Sequence, residues 1–356
     1  MKYKLLIITF SLFSGVIMGQ KNLDDYDMTC YCSARETPHG VVSFDNNLQL
    51  ISSFKKGLSK KELDSLHIPY TDSQLKLLRI FNLIRKEKDK YFSNIPFLDE
   101  KQTYLLRAQS KQIADKILPH IEPDIKELVS YLTSIGNSNN VFSIAFSYVL
   151  DGLPWQIFEE KKIIKPLDSK DNISPWTGFF WILTSNPSSK SGTNTESDST
   201  FTIGITGGPY RLMKSIYDEE DGLLKVMLRN YIVSGKVTDE KVFKTFEPYN
   251  LFNQKGELTI PIIVENDQNK LYVLSKQIAE KICMEMTSME VANRAIKDFN
   301  FQNEEQAVII LYHEVMWNLL SIMEEKKLIE KPIIIKNPDK AEMKDAADLM
   351  YIIRKN

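Results

Sequence analysis

The stretch Ser110-Lys-Gln-Ile-Ala-Asp-Lys-Ile117 occurs a second time in this chain, as Ser275-Lys-Gln-Ile-Ala-Glu-Lys-Ile282, with seven of eight residues identical. The second occurrence lies 165 residues after the first. Two further anchors repeat at the same distance: Ile95-Pro96 matches Ile260-Pro261, and Glu159-Glu-Lys-Lys-Ile-Ile164 matches Glu324-Glu-Lys-Lys-Leu-Ile329. Helical low complexity can imitate one anchor, but three anchors at one offset predict a tandem duplication.

Each copy opens with signals for short helices and a hairpin. Two capping boxes in the first copy, Ser59-x-x-Glu62 and Thr71-x-x-Gln74, predict two helices joined by a tight turn. A polar turn and the strand-like stretch 91–98 then predict a β-hairpin. This element order resembles a winged-helix module, over about residues 50–100 and again over 223–266.

Longer helices are predicted after each hairpin. Their apolar spacing and stop signals place them at 101–118, 124–135 and 140–162 in the first copy, and at 267–284, 287–299 and 303–327 in the second. The last helix of each set is apolar around most of its circumference, so we expect it to be the central core element of its module.

The sequence predicts an α+β, helix-rich fold made of two duplicated winged-helix-like plus helical modules with a β-hairpin insertion between them. The hairpin pairs 176–183 with 201–205 across a mobile loop, 185–200, which has nine Ser or Thr among sixteen residues. A strand at 332–335 and a helix at 339–353 close the chain. The predicted boundaries are signal peptide 1–19, N-terminal segment 20–49, module 1 50–166, insertion 167–222, module 2 223–332 and C-terminal segment 333–356.

The N-terminus has the pattern of a secretory signal. Lys2 and Lys4 precede the apolar run Leu5–Met18, which is too short for a bilayer span of roughly 20 residues. We therefore expect a periplasmic or secreted protein, with an N-terminal membrane anchor as the alternative. No later transmembrane segment is expected.

Three cysteines remain in the mature chain: Cys30, Cys32 and Cys283. Cys30 and Cys32 are too close for an easy internal disulfide, so the expected states are three thiols or one bridge to Cys283. A metal site at Cys30, Cys32 and His39 is the alternative, but no fourth ligand is indicated. We expect no metal and no cofactor.

Catalytic motifs are weak in this sequence. His313-Glu314 has Trp317 where a zinc motif needs its second His, and no nucleophile elbow or phosphate-binding loop occurs. His313, Glu314 and Asn318 instead form a polar stripe on an apolar helix, which predicts a packed helix edge or one wall of a cleft. A site built from scattered Asp, Glu and Tyr leaves no such local trace.

The richest aromatic cluster follows the first module. Strand alternation puts Trp176 and Phe180 on one face and Phe179 and Trp181 on the other. Together with Tyr210 they form either a hairpin packed between the modules or a binding surface with aromatic anchors.

The charge balance argues against a nucleic-acid partner. The net charge is −2, and only the first module carries a basic stretch, at 71–90. We therefore expect an exported, non-catalytic binding or assembly protein whose partner is an unknown protein or envelope ligand. The alternative is a hydrolase with its site in a cleft between the modules.

Export is directly testable. Because the basic residues and the apolar run should direct secretion, we expect the mature chain to start at Gln20, as intact-mass measurement of the extracytoplasmic fraction will show. Recovery of the chain with Met1 in the cytosolic fraction would contradict this.

Overall fold

The computed structural model describes residues 25–34, 37–167, 175–185, 192–197, 200–218, 222–288 and 291–355. The predicted signal peptide lies outside the described residues. The fold is α+β and rich in helix, as the sequence predicts. We call residues 25–185 the first half of the chain and residues 192–355 the second half.

The first half contains five strands and seven α-helices among the described residues. The strands are β1 Tyr26–Ala34, β2 Leu58–Ser59, β3 Ile84–Glu87, β4 Lys90–Ser93 and β5 Trp176–Thr184. The helices are α1 His39–Ser43, α2 Asn47–Ser53, α3 Lys60–Ser65, α4 Asp72–Ile80, α5 Glu100–Ser134, α6 Val141–Ser143 and α7 Leu153–Glu160. Short 3-10 helices lie at Phe54–Lys56 and Ser138–Asn140, and a π-helix at Ile144–Leu150 joins α6 to α7.

The second half contains four strands and seven α-helices among the described residues. The strands are β6 Thr193–Ser197, β7 Phe201–Thr206, β8 Ile262–Val264 and β9 Met350–Arg354. The helices are α8 Tyr210–Tyr217, α9 Leu223–Ser234, α10 Glu240–Phe246, α11 Lys270–Ser288, α12 Val291–Phe299, α13 Glu304–Glu325 and α14 Ile333–Lys336. Further 3-10 helices lie at Glu247–Tyr249 and Met343–Leu349.

The strands form three sheets. β1 pairs antiparallel with β5, β2-β4-β3 form a small antiparallel sheet, and the third sheet has the order β6-β7-β9-β8. β9 lies between β7, to which it is antiparallel, and β8, to which it is parallel. The β1-β5 sheet and the β6-β7-β9-β8 sheet each have one face on a central cluster of helices and the other on an outer cluster of their own half.

The two halves repeat the same backbone details at the spacing of the sequence repeat. The carbonyl of Pro96 accepts from the amide of Ile182 at 2.9 Å, and the carbonyl of Pro261 accepts from the amide of Ile352 at 2.9 Å. Parallel pairing follows in both places, in a bridge between Phe97 and Ile182 and between β8 and β9. The duplication itself stays a prediction that these details support.

One helical segment of each half packs on the other half. α13 of the second half lies against α5 and β5, whereas the π-helix of the first half lies against α11 and β7, and α7 also packs on α11. The ring of His313 on α13 contacts Trp181 of β5 at 4.8 Å. The ring of Tyr148 on the π-helix contacts Tyr351 of β9 at 5.8 Å. The halves are therefore interlocked through one core.

The predicted hairpin insertion is wrong. β5 pairs along its whole length with β1, and β7 pairs with β6 and β9, so the two predicted hairpin strands belong to different sheets. β1 and β9 are distant from these strands in sequence, which is why chain order misled the prediction. Residues 193–197 of the predicted loop form strand β6, while 186–191 and 198–199 lie outside the described residues.

The C-terminal prediction is also wrong, because strand and helix are exchanged. Ile333–Lys336 is a short helix after Pro332, and the stretch predicted as a helix ends in strand β9. A short apolar run such as 350–354 fits a buried strand or a buried helix equally well. It is a strand here because it lies between β7 and β8 in the sheet. Pairing on both sides outweighs local preference.

The long helices follow the prediction with two differences, both in the first half. α5 continues through Pro119 and Pro123, where the sequence predicts a break. A helical proline costs about 3 kcal/mol, but Leu118, Ile121 and Ile125 around these prolines are buried in the shared core, which offsets that cost. The predicted helix 140–162 is divided near Gly152 into the π-helix and α7.

Within the described residues, two segments are long and apolar enough to cross a membrane, Ser138–Glu160 and Glu304–Glu325. In each of them 83% of the apolar window is buried inside the protein. Buried core helices have this same composition, so the segments carry no conclusion about a membrane.

The interlocked core predicts that the halves unfold together. Leu319 of α13 is fully buried. Replacing it by Ala should lower the free energy of unfolding by about 2–5 kcal/mol and shift a single urea midpoint, common to both halves, to lower concentration. Urea unfolding followed by circular dichroism and by tryptophan fluorescence measures this, since coincident curves indicate a two-state transition. Tyr104→Ala, at a side chain 72% exposed, is the control and should change stability by less than ~0.5 kcal/mol. Separate transitions for the two probes would contradict the interlocked core.

Candidate functional site

The five predicted binding aromatics are not brought together on one surface. Trp176 and Phe180 are buried in the outer cluster of the first half, and Trp181 is buried in the central cluster. Phe179 packs partly buried against the central cluster, so strand alternation assigns the two faces correctly. Tyr210 is 55% exposed at the start of α8, where its ring stacks on Tyr217.

The predicted polar stripe meets this strand inside the core. His313 is buried, and its ring contacts those of Tyr31, Trp155 and Trp181 at centroid distances of 6.5, 4.7 and 4.8 Å. Its Nδ1 lies 3.0 Å from the carbonyl oxygen of Ile309, so Nδ1 carries the proton in that hydrogen bond. The histidine is therefore a packed core residue surrounded by aromatic rings.

Glu314 belongs to an ion-pair network that the sequence did not reveal. Arg107 Nε donates to Glu314 Oε2 at 3.2 Å, and Arg107 Nη2 donates to Asp27 Oδ2 at 2.7 Å. The Glu314 side chain is 6% exposed, and the other two are 20% exposed. The network joins α13, α5 and β1, which come from both halves. No local pattern could have found it, because its members lie 80 or more residues apart.

Asn318 completes the stripe with structural contacts. Its Nδ2 donates to Ser110 Oγ at 2.9 Å and to the Glu314 carbonyl at 2.7 Å. Ser110 is buried and begins the repeated stretch. The stripe His313, Glu314 and Asn318 therefore positions α13 against α5 and the first-half sheet, which is the packed-edge alternative of the sequence prediction.

The possible metal ligands do not converge into a site. Among the described residues there is no group of three or more His, Cys, Asp or Glu side chains that could hold a metal ion. The ring nitrogens of His39 lie 3.1 Å from Thr37 Oγ1 and 2.9 Å from the Met28 carbonyl oxygen. All three cysteines are thiols, and Cys283 is buried in a different cluster from Cys30 and Cys32.

An open apolar groove lies in the second half, between α9 and the outer face of the sheet. Its volume is about 280 Å³. It is lined by Phe201, Leu228, Tyr231, Ile232, Gly235, Ile262, Ile352 and Arg354. The sheet register explains this lining, because Ile262 pairs with Ile352 and Phe201 pairs with Arg354. The groove is therefore floored by β7, β9 and β8 and walled by the end of α9.

The first half has larger groups at the corresponding place. Phe97 precedes Ile262 by the repeat distance, and both residues sit in parallel pairing with a sheet strand. The Phe97 ring contacts the Tyr26 ring at 5.2 Å, and Lys55 Nζ lies over it at 4.3 Å. The first half thus has packed Phe97 and Lys55 side chains beside its parallel pairing, and the second half has an open groove beside Ile262.

A second, wider pocket of about 450 Å³ lies between α4 and strand β3 of the first half. Its lining includes four basic side chains: Lys76, Arg79, Arg85 and Lys86. Arg85 is engaged by Glu87, the Ser93 carbonyl and Asn94. This is the basic stretch seen in the sequence, and the expectation of no nucleic-acid partner stays a prediction.

Asp151, at the end of the π-helix, provides a pH test of the core. Its carboxylate accepts from Trp155 Nε1 at 3.2 Å, and burial raises its pKa to about 6. A raised folded-state pKa means that ionisation costs stability as the pH rises from about 4 to 6, and the loss persists above that range. Below pH ~4 the carboxyl is protonated in both states and costs nothing.

Asp151→Asn should therefore be more stable than wild type at pH 7, by at most ~3 kcal/mol from a shift of about two pKa units. The difference should close as the pH falls to 4. Urea unfolding of both proteins from pH 4 to pH 8 measures it, with the exposed Asp267→Asn as a matched control that should stay within ~0.5 kcal/mol of wild type. A variant less stable than wild type at every pH would show that the carboxylate is not penalised by burial.

Comparison with known proteins indicates no function, so a function has to be inferred from the groove and the buried network. No family model, no curated protein and no solved structure matches this chain. The resemblance to winged-helix modules and the duplication accordingly rest on the element order and the repeat described above.

Proposed function

We propose that this chain is an exported, non-catalytic binding protein that holds an apolar side chain of a partner protein in the groove of its second half. The observation that carries the proposal is the open volume beside Ile262, at a place where the first half is filled by Phe97 and Lys55. The two halves share a framework there, so the difference lies in the side chains. An apolar cavity of about 150 Å³ is enough to hold benzene, so this groove has room for an aromatic side chain.

The rim of the groove favours a protein over a small molecule. Ile232 is 39% exposed at the wall, and the next residue, Val233, is 87% exposed. Exposed apolar residues beside an apolar groove extend the contact surface beyond the volume of one small ligand. Interfaces of this kind bind a buried anchor side chain and surround it with weaker contacts.

Charge complementarity favours an acidic group next to the anchor. Arg354 lines one end of the groove, and its guanidinium has no ion-pair partner among the described residues. A carboxylate accepts two parallel hydrogen bonds from an arginine, which adds direction to the contact. The proposed partner segment therefore carries an aromatic or branched side chain followed by Asp, Glu or a chain terminus.

The buried network is better explained as a structural link than as catalytic machinery. Arg107 pairs with both Asp27 and Glu314, and the three side chains join elements of the two halves. The hydrolase alternative needs a cleft between the modules, whereas in the described residues the halves meet through packed helices. The outer groove is therefore the site that we assign to binding.

The proposal includes the origin and location of the chain. We infer a tandem duplication from the sequence repeat together with the repeated Pro96 and Pro261 hydrogen bonds. The first half contains the helix, helix and hairpin order of a winged-helix module, in α3, α4 and β3-β4, with the sheet order β2-β4-β3. Periplasmic or secreted location rests on the signal pattern alone.

Filling the groove tests the proposal. Ile262→Phe places in the second half the ring that Phe97 provides in the first, so it should close the groove without unfolding the protein. We expect binding of 8-anilinonaphthalene-1-sulfonate, an aromatic probe with an anionic group, to weaken at least tenfold, or ~1.4 kcal/mol. Fluorescence titration measures this, and Met284→Phe on α11, at a side chain 57% exposed, is the matched control.

A partner test uses the same pair of variants. A photoreactive phenylalanine in place of Val233 should form one crosslinked product in the native extracytoplasmic fraction, and Ile262→Phe should abolish it while Met284→Phe should not. Arg354→Ala should weaken both probe binding and crosslinking. Equal probe binding and equal crosslinking in wild type and Ile262→Phe would overturn the assignment of the groove.

A further inference from the structure

Two cysteine side chains meet on the first strand of the protein. Cys30 and Cys32 lie on the same side of β1, both half-buried, and their Sγ atoms are 3.1 Å apart. The residue between them, Tyr31, points to the opposite side, where its hydroxyl donates to Glu159 Oε1 at 3.1 Å. The two thiols are thus held next to each other by strand geometry.

The backbone spacing permits a bond between these thiols. Residues two apart on a strand have Cα atoms about 6.4–6.8 Å apart, which is the upper end of the range found for disulfides. Cys32 pairs with Gly178 of β5, so no cross-strand side chain stands opposite it. A disulfide at the upper end of this range is strained, and strained disulfides are the ones that are readily reduced again.

The contact makes the two sulfurs unequal. The hydrogen bond between the Cys30 and Cys32 side chains lowers the pKa of the Cys32 thiol, although burial opposes this effect. The same hydrogen bond, followed by burial, raises the pKa of the Cys30 thiol. Cys32 is therefore the sulfur that ionises first, and the thiolate is the form that attacks disulfides.

We propose that Cys30 and Cys32 form a redox-active dithiol that closes reversibly to a disulfide by exchange with a disulfide-bearing partner, for which glutathione disulfide is the test reagent. The Cys32 thiolate attacks one sulfur of the reagent, whose S–S bond breaks and releases one glutathione thiolate. Cys30 then loses its proton and attacks Cys32 Sγ, which releases the second glutathione. Two thiols are oxidised, and one glutathione disulfide is reduced to two glutathione molecules.

The third cysteine, Cys283, differs from this pair in its burial and its reactivity. Cys283 is fully buried in the central cluster, burial raises its pKa to about 12, and its Sγ faces the Pro154 carbonyl oxygen at 3.8 Å. A buried thiol of this kind is unreactive toward disulfides. Cys283 therefore serves as the internal control.

The experiment incubates the whole protein with glutathione disulfide, blocks free thiols with N-ethylmaleimide in denaturant, and measures intact mass. Wild type and Cys283→Ser should each lose the mass of two hydrogen atoms, and wild type should keep one thiol for the maleimide. Cys30→Ser should stop at one glutathione adduct on Cys32, because the resolving thiol is absent. Cys32→Ser should react more slowly, and thermal melting should show that all variants are folded.

To test reversibility, oxidised wild type is transferred into buffers with increasing concentrations of reduced glutathione. Its intact mass should rise again by two hydrogen atoms as the disulfide is reduced. Three maleimide-reactive thiols in oxidised wild type would overturn the proposal, as would loss of the disulfide in Cys283→Ser. A faster adduct in Cys32→Ser than in Cys30→Ser would overturn the assignment of Cys32 as the attacking sulfur.

Discussion

The packing of one helical segment of each half on the other half is the constraint on which the rest of this structure depends. α13 is buried along most of its length, and it lies against α5 and β5 of the first half. The π-helix makes the reciprocal contact with α11 and β7. Because each sheet is covered on its inner face by a helix from the other half, neither inner face is complete within one half. The core must therefore form as one unit, and this fixes the two outer clusters on its opposite sides.

Two contacts join the halves: α13 packs on the first half, and the π-helix packs on the second half. Their side chains differ in chemistry. His313 lies one repeat distance after Tyr148, and the rings that they contact, Trp181 and Tyr351, belong to the sheets of the opposite halves. Where the π-helix packs on β7, the hydroxyls of Ser147 and Thr206 form a buried hydrogen bond, with 2.6 Å between their oxygen atoms. Where α13 packs on α5, charged side chains from both halves form the Arg107 network. Removing one partner of a buried ion pair leaves an uncompensated charge, so the network depends on all three side chains.

Local signals in the sequence predicted the local structure well. Ser59 and Thr71 form capping boxes with the predicted partners Glu62 and Gln74, because such a box involves only four neighbouring residues. Strand alternation predicted the faces of Phe180 and Trp181. The errors concern β5 and β9, whose partners are far away in the chain. Pairing across 80 or more residues leaves no pattern within a strand, so the sheet order, the Arg107 network and the groove were not predictable from one sequence.

The groove borders Ile262, which lies one repeat distance after Phe97 of the first half. Ile262 and Phe97 hold the same position relative to a sheet strand, but only Phe97 brings an aromatic ring to the outer side. Changes at the inner faces disturb the core common to both halves, whereas changes at the outer faces affect one cluster only. The outer surfaces are therefore where the halves can differ without loss of folding. The basic pocket beside α4 and the dithiol of β1 lie on outer surfaces of the first half, and the apolar groove beside α9 lies on an outer surface of the second.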